Sequence, residues 1–214
     1  MSPRRFAVSL ALLLGGCATT SPPPPAGTEV IVEEASAWER AATAEDQDRI
    51  RRLDQAWSEG IAAARRYGRK MREEGRLLDR EAALPRPAPS PGSYMCRLIR
   101  LGSADRKEPA FAAYKPFFCY VGVDKDQLSI TKQTGSQRPA GYLWDDSDTD
   151  RLIFLGSLAP DEGEPRAYGE DPARDIAGVF ERIGAFRYRL VIPMPKNGAK
   201  LELYELTPAP VQDN

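Results

Sequence analysis

The spacing of apolar residues changes from helical to alternating on either side of one proline-rich segment, residues 85–92. Proline removes a backbone donor and interrupts both helices and central strands, so this segment predicts a linker between two kinds of structure. Residues 38–84 precede it and carry one apolar stripe at helical spacing: Ile50, Leu53, Trp57, Ile61 and Ala64. We therefore expect an N-terminal amphipathic helical segment, with Thr43 as the capping residue of its main helix.

After the linker, apolar and polar residues alternate in eight short runs, as they do in half-buried β-strands. The runs cover residues 94–101, 117–123, 127–134, 140–144, 151–157, 176–183, 186–192 and 200–206. A sheet built from them must either close on itself or be covered, because open edges invite aggregation. The chain therefore predicts an α+β fold in which residues 93–207 form a mainly antiparallel β-sheet domain. An eight-stranded up-and-down barrel is its closed form, and residues 208–214 follow as a tail.

The first residues have the pattern of an export signal. Arg4 and Arg5 precede an apolar run, residues 6–14, that is too short to cross a hydrocarbon core, which requires about 20 residues. The following Leu-Gly-Gly-Cys resembles the lipobox of bacterial lipoproteins, and this implies that Cys17 is acylated and becomes the mature N-terminus. Ala18 stands where an aspartate would retain the protein, which implies transport to the outer membrane. The alternative is an ordinary signal peptide with a coincidental cysteine.

Residues 18–37 are rich in proline, serine and threonine and predict a flexible tether. With residues 1–17 as a lipoprotein signal peptide, the domain would face the periplasm after general secretion, attached to the membrane by its lipid. In that oxidising compartment, Cys96 and Cys119 predict a structural disulfide. The alternative is a redox pair, but the two cysteines lack the Cys-x-x-Cys spacing typical of one.

The composition excludes several classes of function. The chain contains no histidine, which excludes histidine-based catalytic triads, histidine general bases and most zinc and copper sites. Its formal net charge of −1 gives no electrostatic basis for binding nucleic acid. We expect neither a metal nor a cofactor, since no nucleotide-binding or nucleophile-elbow motif occurs in the sequence.

The loop Thr-Gly-Ser-Gln-Arg-Pro, residues 134–139, carries the candidate ligand contacts Gln137 and Arg138. A guanidinium group matches a carboxylate or phosphate with two hydrogen bonds, so the loop could bind an anionic ligand group. The alternative is that both side chains satisfy carbonyl groups of neighbouring loops.

A basic cluster occupies the end of the helical segment: Arg65, Arg66, Arg69, Lys70 and Arg72. It either touches anionic lipid or forms a solvated helix end whose charge complements the helix dipole. Glu73 and Glu74 dilute its charge and favour the second interpretation.

Other patterns suggest catalysis only weakly. A hydrolase without histidine needs carboxylates that converge in one cleft with a raised pKa, and Asp146, Asp148, Asp171 and Asp175 are the candidates. The first two, with Asp150, also have the spacing of a calcium loop, yet the glycine and glutamate that such a loop requires are missing. A polar hairpin turn explains these aspartates equally well.

Ser129 and Lys132 have the spacing of the Ser-x-x-Lys motif of serine penicillin-binding enzymes. That motif requires a helix, whereas the alternating pattern around it here predicts a strand. A strand directs Ser129 and Lys132 to opposite faces, so we interpret the match as coincidental.

The segments TGSQRP, RLIFLGSLA, YGEDPARD and ERIGAFRYRLVIPMP, with the cysteine segments YMCR and FFCY, resemble an uncharacterised bacterial family. That family is a domain of unknown function found in envelope proteins, and the resemblance runs from about Trp38 to Leu206. It implies a secreted or periplasmic setting, a short helical lead and a β-rich core. It transfers no catalytic residue.

These observations lead to one expected function and one alternative. We expect a non-catalytic envelope lipoprotein with a binding or scaffolding role, whose partner is another envelope protein or a small apolar ligand. The alternative is a histidine-independent hydrolase that uses Asp, Glu or Ser in a cleft of the β domain.

Overall fold

The computed structural model describes residues 35–105, 107–160 and 163–210. The expected signal peptide, Cys17 and nearly all of the expected tether lie outside these residues. The helices are α1 (Ala37–Ala41), α2 (Ala44–Arg51), α3 (Leu53–Ala64) and α4 (Gly68–Glu73), with 3-10 helices at Arg65–Tyr67 and Gly75–Leu78. The strands are β1 (Gly92–Leu101), β2 (Phe111–Ala113), β3 (Phe117–Asp124), β4 (Gln127–Lys132), β5 (Arg138–Asp145), β6 (Arg151–Ala159), β7 (Asp175–Gly184), β8 (Arg187–Pro193) and β9 (Leu201–Pro208).

The strands form one antiparallel sheet that closes into a barrel. From β3 to β9, each strand pairs with the next along the chain. The barrel closes because β1 pairs with β3 on one side and, from Tyr94↔Pro208 to Leu101↔Leu201, with β9 on the other. Eight strands, β1 and β3–β9, make up the barrel, and β2 pairs with the end of β1 beyond β3. The expected α+β fold and eight-stranded barrel are confirmed; β2 is an additional strand.

Side chains fill the barrel interior. Phe154 and Phe180 are fully buried, and the ring of Phe180 stacks on Tyr188 with 5.7 Å between the ring centres. The disulfide between Cys96 and Cys119 joins β1 to β3 inside this core, with 5.9 Å between the two Cα atoms. The predicted disulfide is therefore confirmed.

The helical segment covers the outer face of β1 and β6–β9. Trp57 and Leu77 pack with outward-facing residues of β1, β8 and β9, while Trp38 and Ile50 pack on those of β6 and β7. Thr43 caps α2 by accepting the Asp46 N–H, as expected. None of the helices within the described ranges is long and apolar enough to cross a membrane.

The predicted apolar stripe is wrong at one position, because Ile61 is exposed. The helix is interrupted at Arg52, between α2 and α3, and this changes the face that α3 presents to the barrel. Gly60 faces the barrel instead: a Cβ there would lie 3.2 Å from the Cβ atoms of Leu101 and Leu201. The absence of a side chain lets α3 approach the sheet closely.

Candidate functional site

Three charged residues of the barrel strands lie at one end of the barrel, which we call the barrel mouth, and Lys115 of the β2–β3 connection lines the cavity there as well. Arg100 on β1 and Glu202 on β9 are direct partners in the antiparallel register. Lys132 ends β4 on the inward side, in step with the buried Ile130. Strand alternation therefore carries apolar residues through the core and places these charges where the core ends.

A cavity of about 480 Å³ opens at the barrel mouth. Its apolar lining includes Leu98, Phe117 and Tyr204, and its polar lining includes Arg100, Lys132 and Gln137. A concave site with apolar walls and a few polar groups suits a small molecule with an apolar body and one polar group.

The ammonium group of Lys132 lines this cavity without a carboxylate within ion-pair distance among the described residues. Its Nζ donates to the carbonyl oxygens of Ser136, at 2.6 Å, and Gln137, at 3.3 Å. It also lies 4.2 Å from the centre of the Phe117 ring. Two of the three donors of the lysine are therefore used, and the third remains for a ligand.

Arg100 differs from Lys132, because Glu202 neutralises its charge. The guanidinium Nε and Nη2 both lie 2.8 Å from Glu202 Oε1. The same oxygen accepts a hydrogen bond of 2.8 Å from Asn197 Nδ2. Burial lowers the pKa of Lys132; the charge of Glu202 opposes this shift and that of Arg138 adds to it. Of these two cations, Lys132 is thus the one better able to take an anionic ligand group.

Tyr204 contributes a second polar group without a partner. The residue is only 4 % exposed, and its ring meets Phe117 edge-on with 6.2 Å between the ring centres. Its hydroxyl forms no hydrogen bond to any residue that the structure describes, and burial raises the pKa of Tyr204. Since Tyr204 lines the cavity, its hydroxyl is available to donate a hydrogen bond to a ligand acceptor there.

The structure separates the two predicted ligand contacts. Gln137 lines the cavity, in a left-handed backbone conformation with a φ of 48°. The Arg138 guanidinium instead donates to the carbonyl oxygens of Pro160, at 3.3 Å, and Gly163, at 2.8 Å. Arg138 therefore follows the alternative interpretation, in which the side chain hydrogen-bonds carbonyl groups of a neighbouring loop. Gln137 lies in the cavity with Lys132.

Lys132, Arg100 and Tyr204 are site residues that the sequence did not predict. A signal existed for the lysine, since it occupies an inward position of β4 that alternation would give to an apolar residue. Ser129 faces outwards, where it pairs with Tyr142 of β5, so the strand does place Ser129 and Lys132 on opposite faces. Arg100 and Tyr204 carried no such signal, because they meet only when β1 pairs with β9.

The four candidate catalytic aspartates lie in two groups at opposite ends of β6. Asp146 accepts the indole N–H of Trp38, at 3.0 Å, and pairs with Arg151, at 2.6 Å. Asp148 lies on the same β5–β6 turn. Asp171 and Asp175 lie at the β6–β7 loop, where both oxygens of Asp175 accept the Gly169 N–H and burial raises the pKa of Asp175. The four carboxylates therefore do not share one cleft.

A different acidic cleft, of about 360 Å³, lies between the helical layer and the β5–β6 turn. Asp148, Asp150 and Glu181 line it. Burial raises the pKa of Glu181, against the opposing charge of Arg189, and Asp148 raises it further. Across residues 35–105, 107–160 and 163–210, no group of three or more cysteine or carboxylate residues is arranged to hold a metal ion.

The fold and its cavity define a class of protein: a closed antiparallel barrel with a helical layer outside and a mixed polar and apolar cavity at one end. Within that class, the chain belongs to the family described as Domain of unknown function (DUF4893), whose model matches residues 38–206. This confirms the resemblance to a domain of unknown function. No curated protein and no solved structure matches the chain.

Proposed function

We propose that this protein is a non-catalytic, lipid-anchored binding protein of the bacterial envelope, which holds a small amphiphile at the barrel mouth. One observation carries the proposal: a partly apolar cavity bears two polar groups, Lys132 Nζ and Tyr204 Oη, that lack full partners in the described chain. The ligand would place its apolar body against Phe117 and Leu98. Its carboxylate or phosphate would accept hydrogen bonds from the lysine and the tyrosine.

The filled interior supports a ligand at the mouth rather than inside the barrel. Phe154, Phe180 and Tyr188 occupy the centre of the core, which leaves the open end as the accessible apolar surface. The loop at residues 134–137 bounds the cavity and is held by Lys132. A ligand that competes for this ammonium would therefore also shift the loop.

Lipid attachment at Cys17 and an outer-membrane, periplasm-facing location belong to the same proposal. They are supported by the lipobox-like sequence and by the disulfide, which is typical of an oxidising compartment. Mass spectrometry of protein taken from its own envelope tests the attachment. We expect an acylated Cys17 as the first residue; a chain that keeps residues 1–16, or an unmodified Cys17, would exclude it.

Thermal shift and native mass spectrometry test the ligand site. We expect palmitate to bind and hexadecanol, which has the same chain length without a charge, to bind at least tenfold more weakly. A lipid extract of the native envelope should supply a bound species with an anionic group. Equal binding of the acid and the alcohol, or no binding of either probe, would reject the proposed site.

Two substitutions localise the binding. Lys132→Gln removes the charge, and Tyr204→Phe removes one hydroxyl without changing the ring, so each should weaken palmitate binding by about tenfold. Tyr94→Phe is the matched control, because it removes a hydroxyl at the other end of the barrel, where Tyr94 donates to the Ser90 carbonyl oxygen at 2.8 Å. The control should keep full affinity.

A second candidate function, a histidine-independent hydrolase, is supported by the raised pKa of Glu181 beside Asp148 in the acidic cleft. A raised carboxyl pKa next to an ionised carboxylate is typical of an acid–base pair. Glu181 is also bound to the buried Arg189, which explains its position structurally. Turnover of chromogenic ester or glycoside substrates that Asp148→Asn abolishes and Asp171→Asn preserves would favour the hydrolase; no turnover would reject it.

A further inference from the structure

A second groove lies on the outer surface of the helical layer, away from the barrel mouth. It has a volume of about 440 Å³, and Ile61, Met71 and Leu78 supply its apolar lining. Arg65 and Arg72 stand at its edge. Ile61 is exposed although it is a large apolar residue, because Gly60 takes the inward position on α3. The groove therefore combines an apolar centre with basic edges.

The acidic residues that follow α4 do not neutralise this surface. Glu74 turns towards the barrel, where its Oε2 lies 2.6 Å from Arg97 Nη2 and its side chain is only 10 % exposed. Glu73 pairs with Arg69 at 3.6 Å. The sequence suggests that both glutamates dilute the basic cluster. In the structure, Glu74 pairs with the barrel strand β1 and Glu73 pairs with a single arginine.

Four cations of the cluster remain without an ion pair among the described residues: Arg65, Arg66, Lys70 and Arg72. Two of them share one ring, because Arg66 and Lys70 lie 5.1 and 5.9 Å from the centre of Tyr67. Four cations without an ion pair within about two helical turns repel one another, so they favour an anionic partner.

Three carboxylates lie near this surface and keep their negative charge. Asp79 borders the groove, and Asp105 and Glu108 line a neighbouring depression together with Arg65 and Arg66. Glu108 also lies 3.9 Å from Arg100 Nη1 on the barrel wall. Among the described residues, none of the three carboxylates is within ion-pair distance of a cation of the cluster. They therefore reduce the positive charge of this surface without pairing with it.

We infer that this basic groove docks the domain on the surface of an anionic phospholipid bilayer. An apolar strip bordered by arginine and lysine is the arrangement of interfacial membrane-binding helices, in which cations meet lipid phosphates and apolar side chains enter the headgroup region. The inference rests on the proposed lipid anchor in one respect: residues 18–34 can span at most about 60 Å. An anchor at Cys17 would keep Ala35, the start of the domain, within that distance of a bilayer, so even weak attraction would hold the groove on the surface.

Vesicle sedimentation tests the docking without the anchor. The chain beginning at Ala18 lacks the expected signal peptide and lipid and contains the whole compact unit that starts at Ala35. It should sediment with phosphatidylcholine vesicles that contain phosphatidylglycerol, release in high salt, and remain unbound with pure phosphatidylcholine. Since the anchor is absent, failure here concerns the groove alone, while the mass of the native N-terminus separately tests the anchor.

Two quadruple variants show whether position matters as well as net charge. Arg65→Ala, Arg66→Ala, Lys70→Ala and Arg72→Ala together should lower the partition into the anionic vesicles about a hundredfold. The control removes four exposed cations elsewhere, Arg51→Ala, Lys125→Ala, Arg166→Ala and Arg174→Ala, and should lose less than about threefold. Unchanged circular dichroism confirms that both variants fold.

Three outcomes would overturn the inference. The first is no binding of the unchanged chain to phosphatidylglycerol vesicles, and the second is an equal loss in both quadruple variants. The third would indicate an acidic protein partner instead of a bilayer. In that outcome, the groove variant loses a protein crosslink that the unchanged chain forms in intact cells, while its binding to vesicles is unchanged.

Discussion

The guanidinium of Arg189 lies against the ring of Trp57, with 4.9 Å between its Cζ atom and the ring centre, and the arginine is completely buried. Arg189 projects outwards from β8 and Trp57 inwards from α3, so this contact joins the barrel to the helical layer. The guanidinium also binds Glu181, and it donates to the carbonyl oxygens of Leu77, Asp79 and Arg80. One side chain thus organises the segment that returns from the helices to the barrel.

Replacing this arginine should strongly destabilise the fold. Arg189→Met leaves Glu181 as an unpaired buried carboxylate and several carbonyl groups without donors, so we expect the free energy of unfolding to fall by about 3–5 kcal/mol. Arg187→Met is the control on the same strand; Arg187 pairs with Glu205 at 2.6 Å but is about one-third exposed, so its loss should cost about 1 kcal/mol or less. Urea unfolding measures both. Similar losses in the two variants would contradict the assigned role.

Gly156 marks a close approach of the barrel strands β5 and β6. A Cβ at this position would lie 2.3 Å from the carbonyl oxygen of Ala140 and 2.7 Å from the Cζ atom of Phe154. Since backbone cannot move aside cheaply, Gly156→Ala should destabilise the protein by about 3 kcal/mol. Gly68→Ala in α4, whose nearest neighbour would be 3.4 Å away, should be neutral or stabilising by a few tenths of a kcal/mol. Equal urea midpoints would show that β5 can move.

The strands could be predicted from the sequence because their signals are local. Alternation and turn residues placed a strand at 117–123, and the structure has Phe117–Asp124. The three residues of β2 were too few to show a period. Closure could not be decided either, since it depends on whether β1 reaches β9 across more than a hundred residues. For the same reason, the register Leu98↔Tyr204, which builds one side of the barrel mouth, was not visible in the sequence.

In the helical segment, an interruption at one residue makes the prediction from apolar spacing partly wrong. The stripe from Ile50 to Ala64 assumed a continuous helix, but the interruption at Arg52 shifts the buried face to Ala56, Trp57 and Gly60. Ion pairing was equally invisible: Glu74 reads as part of a charged surface until Arg97 on β1 is brought beside it. The sequence therefore shows where the cations lie along the chain, but it does not show which carboxylates pair with them in the fold.

The disulfide should stabilise the barrel and resist reduction in the native state. Cys96 and Cys119 are separated by 23 residues and are almost fully buried, so the chain-entropy model gives about 3 kcal/mol for their cross-link. The double substitution Cys96→Ala and Cys119→Ala should lower the free energy of unfolding by about that amount. Dithiothreitol should reduce the native bond only when urea opens the barrel, as followed by thiol alkylation and mass spectrometry. Rapid reduction in buffer alone would mean that the interior is accessible.

Lys132 should lower stability at neutral pH, as expected of a residue kept for binding. Burial lowers its pKa in the folded state, so between that value and the unfolded value of about 10.4 the unfolded chain binds more protons. The free energy of unfolding of the unchanged protein therefore increases as the pH rises through this interval. Urea unfolding of the unchanged protein and Lys132→Met should show the variant equal or more stable at neutral pH, with its advantage falling as the pH approaches 10. The control Lys107→Met, on an exposed turn, should show no such trend. If Lys132→Met is instead about 2 kcal/mol less stable than the unchanged protein at neutral pH, Lys132 is a structural residue.

Tyr168 joins the β6–β7 loop to the start of α2, and deprotonation of its hydroxyl should lower the free energy of unfolding at alkaline pH. Its hydroxyl donates to Asp46 Oδ2 at 2.6 Å and accepts the Thr43 N–H at 3.0 Å. Burial, followed by the bond to Asp46, raises the pKa of Tyr168 to about 12. Because the unfolded value is about 10, this contribution of about 1–2 kcal/mol is complete below pH 10 and disappears as the pH rises towards 12. Urea unfolding of the unchanged protein and Tyr168→Phe should give free energies that converge over this interval, since only the unchanged protein loses the contribution. A difference that stays constant with pH would mean that the tyrosine titrates alike in both states.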